Sequence, residues 1–158
     1  MKMRDILPQQ NILSELRGTS MLEVLEELAG VVVARCPEVG KERLVEVLLE
    51  REKRGSTAIG EGIAIPHGKV PRLPAVVAAF GRSRFGVDFQ SLDGGPTQLV
   101  VLLVAPEDAA DAPGTPHLQA LARVSRLLRY PEFRRRLLKA EDAQTIYEII
   151  REQDETYV

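Results

Sequence analysis

This chain has two histidines, and one of them is mounted in an unusual way. His67 lies in the heptapeptide AIPHGKV, residues 64–70, between a proline and a glycine. Pro66 fixes its own φ and biases Ile65 toward an extended conformation. Gly68 permits a sharp exit of the chain. A histidine between them is presented at the end of a strand, where the imidazole can meet a partner. Near neutral pH a neutral imidazole carries a nucleophilic nitrogen and can form a covalent intermediate, so phosphorylation is one use of the residue. A histidine satisfied within a core or turn is the other reading.

His117 is expected at the second residue of a helix. The partial positive charge and free N–H groups of a helix N-terminus favour a neutral ring and a nearby anion. Brought beside His67, it would complete a site for a phosphoryl group; alone, it reads as an ordinary helix-start residue. Zinc is the competing use of two histidines, but it needs three or four ligands. Cys36 is the only cysteine, and neither H-x3-H nor C-x2-C spacing occurs. No metal or other cofactor is expected, and Cys36 reads as an inert thiol. The glycines of GSTAIGEG, 55–62, fit neither phosphate-loop pattern. Ser56 and Thr57 within that stretch could donate to phosphate oxygens, or serve only as turn-forming hydroxyls.

The elements that must position these residues follow from periodicity. Leu22, Leu25, Leu28 and Val32 predict an amphipathic helix with Ser20 as its N-cap. KERLVEVLLEREK, 41–53, predicts a second helix, ending near Gly55. GSTAIGEGIAIPHG reads as short strands and tight turns. AVVAAFGRSR, from Ala75, reads as a strand, and Val87, Phe89 and Leu92 alternate with polar residues as a strand does. LVVLLVA, 99–105, is an unbroken apolar run suited to a central strand covered on both faces. Residues 106–116 are loop by composition. Helices follow from about Pro116, from Pro131 and from about Asp142, with Thr115 and Pro116 as start signals for the first of them. Helices first, strands in the middle and helices last predict a sheet with helices packed on it.

Composition narrows the function classes. The 158 residues suit one domain, 1–158. A formal net charge of −2 argues against a global nucleic-acid binder. The basic stretch RVSRLLRYPEFRRRLLK, 123–139, reads as the solvated face of two amphipathic helices, with docking to an acidic partner or a nucleic-acid backbone as the alternative. No apolar run approaches the ~20 residues of a membrane span, and MKMRDILPQQ has charge but no apolar h-region after it and does not read as a signal peptide, so a soluble, cytoplasmic protein is expected.

Taken together, LEREKRGSTAIGEGIAIPHGK and PHLQALARVSRLL resemble the enzyme IIA component of the bacterial phosphotransferase system. The likeness is to its fructose, mannitol and nitrogen-regulatory group, and it extends over nearly the whole chain. It implies a compact α/β domain with a central mixed sheet flanked by helices. It implies that His67 accepts a phosphoryl group from phosphorylated HPr, or from the nitrogen-branch counterpart of HPr, through Nε2. It also implies onward transfer to an enzyme IIB or use of the phosphoryl group as a regulatory mark. By the same resemblance His117 is the second active-site histidine, Arg51 the phosphate-neutralising arginine, Ser56 and Thr57 the GST segment beside it, and Gly68 the turn. With no fused transmembrane or IIB segment, the nitrogen-regulatory type is expected. The alternatives are a sugar-transport component and a non-phosphorylated, protein-binding adaptor. An apolar rim for the partner is expected from Ile63, Ile65 and Val70. The sequence departs from the usual STGIG at Ala58, where a positive φ would be strained.

Overall fold

The apolar run 99–105 forms the middle of β6 (Thr97–Pro106), the strand on which the rest of the sheet is built. The computed structural model describes residues 1–157. Leu99, Val101 and Leu103 enter one hydrophobic cluster, while Val100, Leu102 and Val104 enter another. The two-residue period of a strand therefore feeds a core on each face, as an all-apolar strand requires.

On one side β6 pairs antiparallel with β5 (Val77–Val87), which in turn pairs parallel with the short β1 (Ile12–Leu13). On the other side two short strands share its edge in succession. These are β3 (Ile63–Ala64), opposite Leu99 and Val100, and β4 (His67–Val70), opposite 103–106; both run parallel to β6. Ile65 and Pro66 interrupt them, and the Pro66 carbonyl still accepts from Leu103 N at 3.0 Å. β2 (Ala58–Gly60) closes that edge antiparallel to β3. The sheet is mixed and, among the described residues, six-stranded.

Helices cover both faces. α2 (Met21–Arg35) and α3 (Lys41–Lys53) pack on the even-numbered face of β6. Ser20 caps α2 as expected: its Oγ accepts from Glu23 N at 3.2 Å. The buried stripe of α2 is Val24, Leu25, Leu28, Ala29 and Val32, and Leu22 turns outward, 45% exposed. The opposite face carries α1 (Met3–Ile6), α4 (Pro116–Leu128), α5 (Pro131–Lys139) and α6 (Ala143–Tyr157). Val87 ends β5, and the alternation from Val87 to Leu92 does not extend the strand. Phe89 is buried, whereas Leu92 is 79% exposed beside the Asp93–Gly94 turn.

Two buried ionic groups tie the helical layer to the sheet. Asp154, 2% exposed, accepts from Met3 N at 2.8 Å and from Arg123 Nη1 at 2.5 Å, joining α1, α4 and α6. Arg82 on β5 has no carboxylate partner among the described residues. It donates instead to carbonyls of Ser14, Leu137 and Ala140, the last two at the C-terminal end of α5, where a helix presents negative charge. Burial pulls its pKa down, with repulsion from Arg84 adding to that.

Removing one member of a buried ion pair strands the other. Asp154→Ala is therefore expected to lower the unfolding free energy by about 3 kcal/mol in urea titration. A loss near zero would show that Arg123 finds water instead.

Candidate active site

Strand alternation decides where His67 points. Ile63 and Ile65 face the α4 layer, and His67 and Lys69 line a cavity of about 190 Å³ against the same layer. Val76, Leu103, Asp111, His117, Leu118 and Leu121 complete its main walls. Gly68, between them, faces α3. A Cβ built there would lie 2.6 Å from Val47 Cγ1, so only glycine lets β4 sit this close to the helix.

The His67 ring is half-buried, and its Nδ1 lies 2.7 Å from the Ile65 carbonyl oxygen. A carbonyl only accepts, so Nδ1 carries the proton and donates it. Nε2 is left with the lone pair. Burial is the main influence that lowers the pKa of His67. The Ile65 hydrogen bond raises it, Arg51 lowers it, Glu52 raises it and His117 lowers it, in that order of size, with a net downward shift. The group is thus a neutral imidazole at neutral pH, with its nucleophilic nitrogen defined.

His117 is the second residue of α4, as expected. Its Nε2 lies 3.1 Å from Asp111 Oδ1, and its buried Nδ1 has no partner among the described residues. The same Asp111 oxygen accepts from Lys69 Nζ at 2.8 Å. The Lys69 hydrogen bond comes first, and that of His117 second, in holding the Asp111 carboxyl below its ordinary pKa.

Arg51 stands in the last turn of α3, outside the cavity lining but close enough to act on the charge of His67. One of its Nη atoms donates to the Gly55 carbonyl at 2.9 Å, which folds the GST loop back on the helix end. Glu52 accepts from both the backbone N–H and the hydroxyl of Thr57. Ser56 Oγ donates to the Phe89 carbonyl at 2.7 Å and accepts from Ala58 N at 3.0 Å. The structure therefore brings His67, Gly68 and His117 to one cavity with Arg51 in electrostatic range. It leaves Ser56 and Thr57 outside that cavity, with their hydroxyl protons given to protein oxygens.

Three expectations need correction. Gly68 makes no turn: it lies within β4, without positive φ, and the strand runs on through Lys69 and Val70. Ile63, Ile65 and Val70 are no more than 3% exposed and form core, not rim; the half-buried apolar residues at the cavity are Val76, Leu118 and Leu121. Ala58 lies in β2, without positive φ, so its methyl group is not strained. Lys69 and Asp111 were not singled out from the sequence. Lys69 was within reach, since it follows His67 at the strand period of two. Asp111 was one of several acids in a loop, and nothing local distinguished it.

Among the described residues, no three His, Cys, Asp or Glu side chains gather as a metal site. Comparison with known proteins shows the family. Residues 5–153 match the family model described as phosphoenolpyruvate-dependent sugar phosphotransferase system, EIIA 2. A nitrogen regulatory protein of Bradyrhizobium diazoefficiens is 43% identical over 150 residues, 95% of each chain. The fructose-specific EIIABC component of Bacillus subtilis is 38% identical over 98% of this chain, which corresponds to 24% of that longer protein. Among solved structures, the nitrogen regulatory protein IIA-Ntr of Neisseria meningitidis superposes with a TM-score of 0.83 at 30% identity, over 92% of this chain and 97% of that one.

A depressed folded pKa contributes stability above the unfolded value, about 6.5, and that contribution is lost as pH falls from there through the folded value. The His67 ring should accordingly titrate by NMR with a midpoint below that of an unfolded-chain histidine; a midpoint at or above it contradicts the burial argument. Gly68→Ala should cost about 2 kcal/mol by crowding Val47. Adding Val47→Ala should recover part of that in chemical denaturation, and no recovery would mean that the contact with α3 is not the cause.

Proposed function

Because the chain belongs to the EIIA 2 family of the phosphotransferase system, we propose that it is a cytoplasmic phosphohistidine carrier of the nitrogen-regulatory kind, charged on His67 Nε2. The single observation that carries the assignment of the nitrogen is the 2.7 Å bond from Nδ1 to the Ile65 carbonyl, which reserves Nε2 for the reaction. The nitrogen-regulatory assignment rests on relatives of that name matching along nearly their full length.

In the proposed reaction the P–N bond of a phosphohistidine on HPr, or on its nitrogen-branch counterpart, breaks as a P–N bond forms at His67 Nε2. No redox change occurs, and the electron pair of the broken bond stays on the donor ring. The proton on Nδ1 remains hydrogen-bonded to Ile65, which stabilises the positive charge the His67 ring acquires. Little covalent assistance is needed for phosphoryl transfer; positioning and charge compensation supply most of the catalysis. Arg51 offers a planar guanidinium whose remaining N–H groups suit phosphate oxygens. His117 donates from the helix N-terminus. Ser56 and Thr57 reach the phosphoryl group only by exchanging their bonds to Phe89 and Glu52. Gly68 holds the strand close to α3, so that the ring faces the cavity.

The 38% identity to a fructose-specific component favours a second reading, in which the phosphoryl group passes to an enzyme IIB for sugar uptake. Transfer from the charged protein to a fructose-type IIB would decide for that reading over a regulatory one. In either case no insertion into a membrane or binding of nucleic acid is involved.

With phosphorylated HPr as donor, the wild-type chain should gain one acid-labile phosphoryl group that maps to His67, and His67→Ala should gain none while keeping its fold by circular dichroism. His117→Ala should slow uptake and onward donation by about a hundredfold, the scale of one lost transition-state contact. An adduct mapped elsewhere would overturn the assignment of His67, and unchanged rates in both directions would remove His117 from the site.

A further inference from the structure

The loop after β6 carries an anion into the cavity of His67. Asp111 Oδ1 takes hydrogen bonds from Lys69 Nζ at 2.8 Å and His117 Nε2 at 3.1 Å, both from residues that line the cavity with the His67 ring. Lys69 Nζ also donates to the Ala109 carbonyl at 2.7 Å. These three bonds fasten residues 109–111 to the body of the protein. At its root Glu107 N donates to the Val70 carbonyl at 2.8 Å; the other backbone bonds within residues 108–115 are local turns, Ala109 N to Pro106 and Thr115 N to Ala112. Asp111 itself is 78% exposed on its side chain, so no packing holds it in place.

We propose that Asp111 is a built-in occupant of the phosphoryl position: its carboxylate uses the donors of Lys69 and His117 while His67 is uncharged, and it is expelled, releasing the 107–115 loop, when His67 takes up the phosphoryl group. The inference rests on the reading of His67 as the phosphoryl acceptor. Its chemistry is one of competition. A phosphoryl group on Nε2 brings close to two negative charges and three strong acceptor oxygens into a cavity of about 190 Å³. Two side-chain donors that line that cavity, Lys69 Nζ and His117 Nε2, already serve the carboxylate. An ammonium and an imidazole N–H bind a phosphoryl oxygen at least as well as a carboxylate oxygen, and the two anions repel each other at such range. The carboxylate is the one free to leave, because it is exposed and sits on a loop whose other bond to the body is at its root, from Glu107 N to the Val70 carbonyl. Lys69 thereby becomes a phosphoryl-binding residue with two alternative partners. The surface of the loop, with Glu107, Asp108 and Asp111, is the part of the molecule whose state reports phosphorylation to a partner.

The test uses the whole protein and potassium phosphoramidate, a small P–N donor that removes any effect of protein docking. Its P–N bond breaks, the nitrogen leaves as ammonia with a proton from solvent, and the new P–N bond forms at His67 Nε2. Uptake is followed by intact mass, and hydrogen exchange of the amides in 107–115 is followed by mass spectrometry before and after charging. Asp111→Asn removes the competing charge in nearly the same shape and is expected to take up phosphoryl groups about tenfold faster, the scale of one charge-assisted hydrogen bond. Loop exchange in the wild type should rise severalfold on charging and should already be high in uncharged Asp111→Asn. Lys69→Gln should show a fast-exchanging loop together with slower uptake, a combination that a merely structural lysine would not give. An unchanged uptake rate in Asp111→Asn, or loop exchange indifferent to charging at His67, overturns the proposal while leaving the carrier reading intact. No phosphoryl group on His67 from either phosphoramidate or HPr overturns the carrier reading itself.

Discussion

The hydrogen bond between Nδ1 of His67 and the carbonyl of Ile65, two residues before it, is the interaction on which the site depends. It spans only one intervening residue, the proline, and so it exists only because Pro66 fixes the chain between donor and acceptor. A carbonyl has lone pairs and no proton, so the bond selects one tautomer of the ring. Partial burial then disfavours a second proton on the remaining nitrogen. A neutral ring with a defined nucleophilic edge follows from these two local facts, before any distant residue is considered.

Distant residues enter through β6. Its alternation assigns one face of the sheet to α2 and α3 and the other to α1, α4, α5 and α6. β4 hangs on its edge at 103–106, near the strand's C-terminal end. There the two helical layers come within reach of the same ring: Arg51 from the end of α3 and His117 from the start of α4. Gly68 is the hinge of that arrangement. Its missing Cβ allows β4 to approach Val47, while its neighbours on either side face the opposite layer.

The charges around His67 are balanced rather than one-sided. Arg51 and Lys69 are offset by Glu52 and Asp111, each of which is hydrogen-bonded to a residue of the same region. A carrier must take up a phosphoryl group and also give it away. A site with unopposed cations would hold the group too firmly, whereas cations already partnered bind it only to the extent that it displaces their present acceptors. The contrast with Arg82 is instructive. That guanidinium is buried and donates through Nε and Nη1 to backbone carbonyls, and its role is to fasten α5 to the sheet.

Much of this was legible from one-dimensional pattern. The run 99–105 implied a strand covered on both faces, the 3.6-residue periodicities located α2 to α6, and the proline and glycine flanking His67 announced a presented histidine. These features are local, and short-range sterics and periodicity determine them. The tetrapeptide α1 and the two-residue β1 were not legible, because elements so short are held by tertiary partners such as Asp154 and β5 rather than by their own propensity. The outward turn of Leu22 and the burial of Ile63, Ile65 and Val70 likewise depended on which neighbours the sheet supplied. The sequence alone thus determined the longer elements, the presented ring and its chemical type. Only the tertiary structure decided that Lys69 and His117 share one oxygen of Asp111, and that Ser56 and Thr57 spend their protons elsewhere. The reason is physical: a hydrogen bond depends on distances and directions across the fold, and residues 42 apart such as Lys69 and Asp111 acquire these only when the chain has closed on itself.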